Sequence, residues 1–390
     1  MPETTPRLRH PLRLQVALFS AVRMVVNIST RMIYPFLNTF ATGLGVNLTS
    51  ISMVLSVRSA TGALSPFITP IADRRGRKLS LLIGLGMFTA SCLLFILWPT
   101  FTSFFISVNL AFLGMYVYVS SMEAYLGDNV RESRLGLALA MVEWGWALAF
   151  IIGMPLVGVV MDKYGWNAPF PMLAVLGGLS MALIAWLIPN QKPPSNSSNG
   201  MLANIKVVLQ SPSARAALMM SLLMVAANEA INLVFGVWLE VSFGLKLAAL
   251  GAASVLIGIS ELSGESLGGV LSDRIGRKRS IWLGFGFIAV VAGALPFIGK
   301  SQVGALIGLF LFYLGFEFAF VAAQPLMTDL VPEARATMMG VNKTALSLGR
   351  MFGTLAGPFL FAIGFWANCV AAIVFIFLAG LALTGVKSNK

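Results

Sequence analysis

The sequence is poor in charge. Asp, Glu, Lys and Arg make up 11% of its 390 residues, where a soluble domain carries about 25%. Histidine is nearly missing. The single His10 lies ahead of the first apolar run, so neither an HExxH metal site nor a histidine-based catalytic pair is written inside the chain. Its two cysteines, Cys92 and Cys369, fall within apolar runs and supply neither a disulfide framework nor a zinc cluster. No GxxxxGK[ST] loop occurs, which removes the phosphate cradle of an ATP-driven pump. An enzyme is therefore not expected, and no cofactor or metal is called for. Acidic residues are scarce beside basic ones, 15 against 27, for a formal net charge of +12.

What the chain has in quantity is apolar surface, 57% hydrophobic residues gathered in long runs. A helix that crosses a bilayer needs about 20 such residues. Twelve segments qualify: 14–41, 47–72, 79–98, 101–126, 135–160, 169–188, 215–239, 247–271, 280–298, 303–328, 336–360 and 365–386. Alternation with period two is missing and the runs are too long for barrel strands, so the expected class is an all-α membrane protein. The first run is too long for the apolar core of a signal peptide and contains Arg23 and Arg31, so it reads as a retained span. Between the sixth and seventh spans lies "PNQKPPSNSSNG", 189–200, whose Pro, Ser and Asn content is that of a flexible linker. The expected organisation is an N-terminal six-helix bundle over 1–188, a cytoplasmic linker over 189–214 and a C-terminal six-helix bundle over 215–390.

The basic residues test this count. With both termini inside, the outer loops hold only Lys163, Lys246 and Lys300, and the spans hold Arg23, Arg31, Arg58, Lys343 and Arg350. Every other Lys and Arg falls on the cytoplasmic side. That asymmetry follows the positive-inside rule, so the positive charge reads as topology and gives nucleic-acid binding no support. The expected location is a plasma (inner) membrane, crossed many times by a monomer.

The chain also repeats itself. "ADRRGRK" at 72–78 returns as "SDRIGRK" at 272–278, and "VRESRLG" at 130–136 corresponds to "VPEARAT" at 331–337. Each copy holds the same place among six spans, which implies parallel repeats about an axis along the membrane normal. Twelve spans in two sixes, a polar central linker and a doubled Asp-Arg-x-Gly-Arg-Lys loop resemble the major facilitator superfamily over essentially the whole chain. The N-terminal copy has Pro70 where the family usually places a Gly; the C-terminal copy keeps Gly269. By this resemblance Asp73, Arg74, Gly76 and Arg77 belong to a latch between the halves, with Glu132 and Arg134 as partners. Asp273, Arg274, Gly276 and Arg277 form the second set. The fifth span, "WGWALAFIIGMPLVG", with Gly145, Gly153, Pro155 and Gly158, resembles a degenerate Gly/Pro motif of family exporters. Leu110 stands near the place where drug/proton antiporters of the family usually carry an Arg.

Eleven ionisable residues fall inside spans: Arg23, Arg31, Arg58, Glu123, Glu143, Glu229, Glu261, Glu265, Glu317, Lys343 and Arg350. Each costs about 2.5–3.5 kcal/mol at mid-membrane on insertion scales, so each should face protein or water. None lies in the third, sixth, ninth or twelfth span, the ones the family fold places at the lipid-facing periphery. Arg23, Asn27 and Arg31 step by four along one helix face, and Tyr34 and Asn38 continue the stripe. Three arginines and three glutamates lie deepest: Arg31, Arg58 and Arg350 with Glu229, Glu261 and Glu317. A central site is expected from Arg31, Tyr34, Arg58, Tyr116, Trp146, Asn228, Asn232, Glu317 and Arg350, with Glu229 and Glu261 carrying protons. The reading is a secondary active transporter for a small-molecule substrate, a proton-coupled exporter of amphipathic compounds working by alternating access. Its alternatives are a proton-coupled symporter taking up a small organic solute and an exporter of lipids or lysolipids.

Overall fold

A computed structural model of the chain describes residues 11–63, 76–190 and 201–387, leaving aside the side chains of 132–133, 201–204, 333 and 336. Helices account for almost all of it, and no strand occurs among the described residues. The first span is Leu12–Arg31 with Leu37–Leu44, and the second is Leu48–Gly62, whose expected continuation to 72 lies outside the described residues. The third to sixth spans are Arg77–Leu97, Phe101–Asn129, Glu132–Leu148 with Met154–Tyr164, and Pro169–Leu187. After a linker helix, Met201–Gln210, come Pro212–Asn232 with Phe235–Phe243, then Leu247–Ile275, Arg277–Ile298, Gln302–Asp329, Arg335–Ile363 and Phe365–Thr384. Among the described residues eleven stretches are long and apolar enough to cross a membrane, and Leu37–Gly43 with Leu48–Gly62, bent by 111°, reach that length and hydropathy only together.

Three spans expected as single segments are interrupted. Pro35 has no N–H to give the Arg31 carbonyl, so the first helix stops at Arg31 and resumes at Leu37. Pro155 follows a π-helical turn, Ala149–Gly153, in the fifth span. The seventh span breaks at 233–234, where the hydrogen bonds shorten to Val234 N–H to Ile231 C=O. First and seventh spans occupy the same place in the repeat, so the two breaks correspond.

The repeat is visible in the backbone. Among the described residues, all the glycines with positive φ form three pairs: Gly45 and Gly244 (φ 66° and 65°), Gly76 and Gly276 (93° and 95°), Gly165 and Gly364 (98° and 140°). Only glycine holds such angles without a steric penalty, so each pair marks one turn written twice. Side chains repeat too. Lys78 donates to the Ala185 carbonyl at 2.6 Å, and Lys278 to the Val386 carbonyl at 3.0 Å.

The chain packs into two compact units that do not follow the 1–188 and 215–390 halves. The first comprises, among described residues, 11–30, 76–149 and 167–190. Its third span packs on the fourth and sixth through Phe95, Phe104 and Phe170, with rings 4.2–6.4 Å apart. The second unit comprises 31–63, 150–166 and 201–387. Here Leu48–Gly62 lies along the eleventh span and Met154–Tyr164 along the eighth. Pro358 leaves the Thr354 carbonyl without its helical partner, and the Ser52 hydroxyl of the second span donates to it. The Ser56 hydroxyl reaches the Met351 carbonyl at 3.4 Å, and Thr344 reaches the Ala63 carbonyl at 3.1 Å. At the two broken spans the backbones touch: a Cβ on Gly236 would stand inside van der Waals contact of the Pro35 carbonyl oxygen.

The spans without ionisable residues carry large exposed apolar side chains, among them Leu97, Val175, Trp186, Val290, Phe297 and Phe377. In a bilayer that exposure is ordinary contact with acyl chains.

Gly236→Leu should force the two breaks apart and cost about 1–3 kcal/mol of stability, read as a lower unfolding midpoint in detergent. Gly286→Ala, where a Cβ meets nothing within 4 Å, should leave the midpoint unchanged.

Candidate functional site

Within the second unit the two interrupted spans bring their polar residues together. Arg31, at the end of its helix, is 4% exposed, and Glu261 of the eighth span is 3% exposed. The two form a bidentate ion pair, with one bond at 2.8 Å from NH1 to Oε2 and a second from NH2 to Oε1. The Arg31 guanidinium also lies 3.5 Å over the ring of Phe150, a cation–π contact that is strongest when dry. A bidentate pair is the strong form of this interaction.

Beside it runs a chain of hydrogen bonds. Arg58 NH2 donates to the Tyr34 hydroxyl at 2.8 Å, and Tyr34 donates to Glu229 Oε1 at 2.5 Å. Thr354 also donates to that oxygen at 3.4 Å, while Asn232 Nδ2 reaches Glu229 Oε2 at 3.3 Å. The Tyr313 hydroxyl then donates to Asn232 Oδ1 at 2.8 Å. Five spans are linked: first, second, seventh, tenth and eleventh. Glycine again sets the approach, because a Cβ on Gly353 would stand 2.6 Å from the Glu229 Cβ. Toward the outer end, Asn38 donates to Glu240 Oε1 at 3.0 Å.

Glu317 completes the six deep charges. It is 7% exposed on the tenth span, within electrostatic reach of Glu261, Glu265, Arg31 and Arg350. Arg350 is half-buried and also acts on Tyr34. Asn228 is half-buried, with its Oδ1 sealed from solvent and bonded to nothing among the described residues. Of the expected central residues, the second unit therefore gathers Arg31, Tyr34, Arg58, Asn228, Asn232, Glu317, Arg350, Glu229 and Glu261.

The first unit holds the others. Tyr116 is half-buried with its ring edge-on to Phe112 at 4.8 Å, and Trp146 is half-buried in the fifth span. Arg23 makes a bidentate pair with Glu143 at 2.9 and 3.0 Å. Gly145 makes room for it, since a Cβ there would stand 2.8 Å from the Arg23 Cγ. Of the exporter-like glycines, Gly145 thus serves an ion pair between the first and fifth spans.

The loop residues divide similarly. Asp73 and Arg74 lie outside the described residues, as does the side chain of Glu132. Arg134, Asp273 and Arg274 are exposed. Arg77 goes to Asp128 at 2.9 Å in the first unit, and Arg277 goes to Asp329 in the second. These two aspartates went unremarked in the sequence, yet they stand two positions ahead of Val130 and Val331, where the second repeated stretch begins. Extending that repeat by two residues finds them.

A family profile described as the Major Facilitator Superfamily matches residues 19–354. The chain belongs to that superfamily. It is 25% identical over 393 residues to the uncharacterized MFS-type transporter YceJ of Bacillus subtilis (strain 168), covering 96% of this chain and 97% of that one. To multidrug resistance protein 2 of the same organism it is 24% identical, covering 84% and 83%. Among solved structures, a bacterial homologue of the human lysosomal transporter Spinster, inward-facing and unoccupied, has a TM-score of 0.77 at 13% identity. That alignment covers 96% of this chain and 95% of the other. The fold is accordingly that of the superfamily, twelve spans in two pseudo-symmetric sixes, and its members are membrane transporters of small molecules, not enzymes.

Arg31→Gln or Glu261→Gln alone leaves one buried charge without its partner, which should cost about 3–5 kcal/mol. The double variant should recover most of the loss. Unfolding of all three proteins in detergent checks this, and equal additive losses would show that the two side chains do not depend on each other.

Proposed function

We propose that this transporter couples the export of amphipathic small molecules to proton entry. The observation that carries the reading is the hydrogen-bonding of Glu229. Its two oxygens accept from Tyr34, Thr354 and Asn232, all neutral donors. A carboxylate held in this way gains a proton without stripping an arginine of its only counter-charge. Glu261 is placed differently, in direct partnership with Arg31. Proton arrival there loosens an ion pair between the first and eighth spans, so occupancy and movement are tied at one residue.

The rest of the cycle follows from the two halves. Residues 1–188 and 215–390 are the bodies that rock about the central site, with the linker 189–214 between them. Asp73, Arg74, Gly76, Arg77 and the equivalent Asp273, Arg274, Gly276 and Arg277 act as the latch on the cytoplasmic side. The bonds from Arg77 to Asp128 and from Arg277 to Asp329 hold each copy of the loop against the fourth span of its own half. Asn228, Asn232, Arg58 and Arg350 supply walls for an amphipathic cargo. Methionine is plentiful, 20 in all, and thioethers repack around varied shapes. Resemblance to a protein named for multidrug resistance supports export as the direction. The protein works as a monomer in the inner membrane with both termini in the cytoplasm.

Counterflow in proteoliposomes under an imposed pH gradient tests the reading. An inward proton gradient should drive cargo out of right-side-out vesicles, and accumulation inside would establish an uptake symporter instead. Glu229→Gln and Glu261→Gln should each abolish gradient-driven transport while leaving cargo exchange. Coupling that survives both substitutions contradicts the assignment of the proton.

A further inference from the structure

The ninth span, Arg277–Ile298, and the twelfth, Phe365–Thr384, pack side by side in the second unit with a groove between them. Its volume is about 230 Å³. Trp282 and Gly286, four residues apart, form one wall. Ile373, Phe377 and Leu381 step by four along the other, over a floor of buried Phe285 and Ile376. Glycine shapes both sides. A Cβ on Gly286 would meet nothing within 4 Å, and one on Gly380 would stand 2.9 Å from the Trp282 ring. In the first unit Gly86 holds the place of Gly286 in the repeat, and there the Met181 Cε lies 3.8 Å from where a Cβ would be. The second copy of the repeat leaves that place open.

The groove lies on the outside of the unit. Trp282, Phe377 and Leu381 are 44%, 65% and 51% exposed. Its wall from Ile373 to Leu381 runs ~12 Å along the helix, within the ~15 Å of one leaflet's hydrocarbon. Length, direction and apolar lining suit an acyl chain lying beside a spanning helix.

One end of the groove is charged, and with one sign. Residues 277–298 and 365–390 contain no Asp or Glu, while Arg277, Lys278, Arg279 and Lys387 stand at the end nearer Trp282 and Leu381. Arg277 is taken by Asp329, and Lys278 by the Val386 carbonyl at 3.0 Å. The second bond ties the start of the ninth span to the end of the twelfth, and Arg279 and Lys387 each adjoin one of its residues. Both are exposed, and neither side chain has an ion pair among the described residues. Arg279 also precedes Trp282 by three residues, on the same helix face. Tryptophan is enriched at headgroup level, where its ring has one wet end and one apolar end.

A second copy of the chain would also cover an apolar face. Set about an axis along the membrane normal, it would bring Arg279 and Lys387 of both copies to one level, like charge against like. A phosphate brings the opposite sign. We propose that this groove binds an anionic phospholipid. One acyl chain lies against Gly286 between the two spans, and the headgroup phosphate meets Arg279 and Lys387. The site stands on the periphery of the second unit and does not depend on the transport reading above.

The test is tryptophan quenching by brominated lipid, with the purified full-length protein in phosphatidylcholine vesicles. Bromine quenches at contact, so the quenching lost in Trp282→Phe reports this groove. Brominated phosphatidylglycerol should act there at a share of the lipid ~5-fold or more below that needed for brominated phosphatidylcholine, the gain expected from one basic residue at a membrane surface. Arg279→Gln combined with Lys387→Gln should bring the two lipids level. Gly286→Leu fills the groove, keeps both charges and should also abolish the preference, with an unfolding midpoint in detergent that matches wild type. Equal quenching of wild type by the two lipids overturns the proposal. A preference that survives Gly286→Leu overturns it too, because surface charge alone then attracts the lipid. So does a Trp282 that neither lipid reaches in a protein that crosslinks as a dimer, since a second copy then covers the groove.

Discussion

A guanidinium removed from water inside a membrane must find its counter-charge in the protein. Arg31 meets that demand through Glu261, two hundred and thirty positions away, and much of the second unit is arranged to let it do so. The first helix ends on Arg31 because Pro35 withholds the next hydrogen bond. The second span lies against the eleventh, where Pro358 exposes a carbonyl to Ser52. Gly236 lets the broken first and seventh spans come into backbone contact. Each of these features places a polar group beside another in a medium where neither survives alone. Helix interruption, glycine and ion pair form one solution to a single constraint.

The same constraint sets the partners of the buried glutamates. Glu229 is bonded by neutral donors, while Glu261 is bonded by a cation. Two buried glutamates are thus given different partners by their surroundings. The first unit shows the contrast. Its bidentate Arg23–Glu143 pair spans the first and fifth helices where Gly145 permits the approach, and the half-exposed Glu143 sits where water or headgroups can reach it.

Much of this was legible in the sequence. Hydropathy placed the spans because a bilayer leaves few other homes for twenty apolar residues. The doubled charged loop exposed the repeat, which the backbone then displayed in three matched glycine pairs. Buried charges announced themselves by their cost, and the six placed deepest do lie in one unit. The sequence did not reveal who pairs with whom. Arg31 to Glu261 and Tyr34 to Glu229 join distant segments, and hydrophobic period carries no information on such matches. Nor did it show that residues 31–63 and 150–166 pack with the second half of the chain, since that grouping comes from contacts between helices. Two signals were present and passed over. Pro35, inside an apolar run beside Arg31, marks the break, and Asp128 with Asp329 extends the repeat.

The central claim is that the charge network binds residues 31–63 to the helices of the second half. Hydrogen–deuterium exchange of the intact protein in nanodiscs tests it most directly. Replacing Glu261 with Ala should speed exchange several-fold in peptides from 31–63 and leave those from 77–97 unchanged. Equal protection of 31–63 in both proteins would contradict the account.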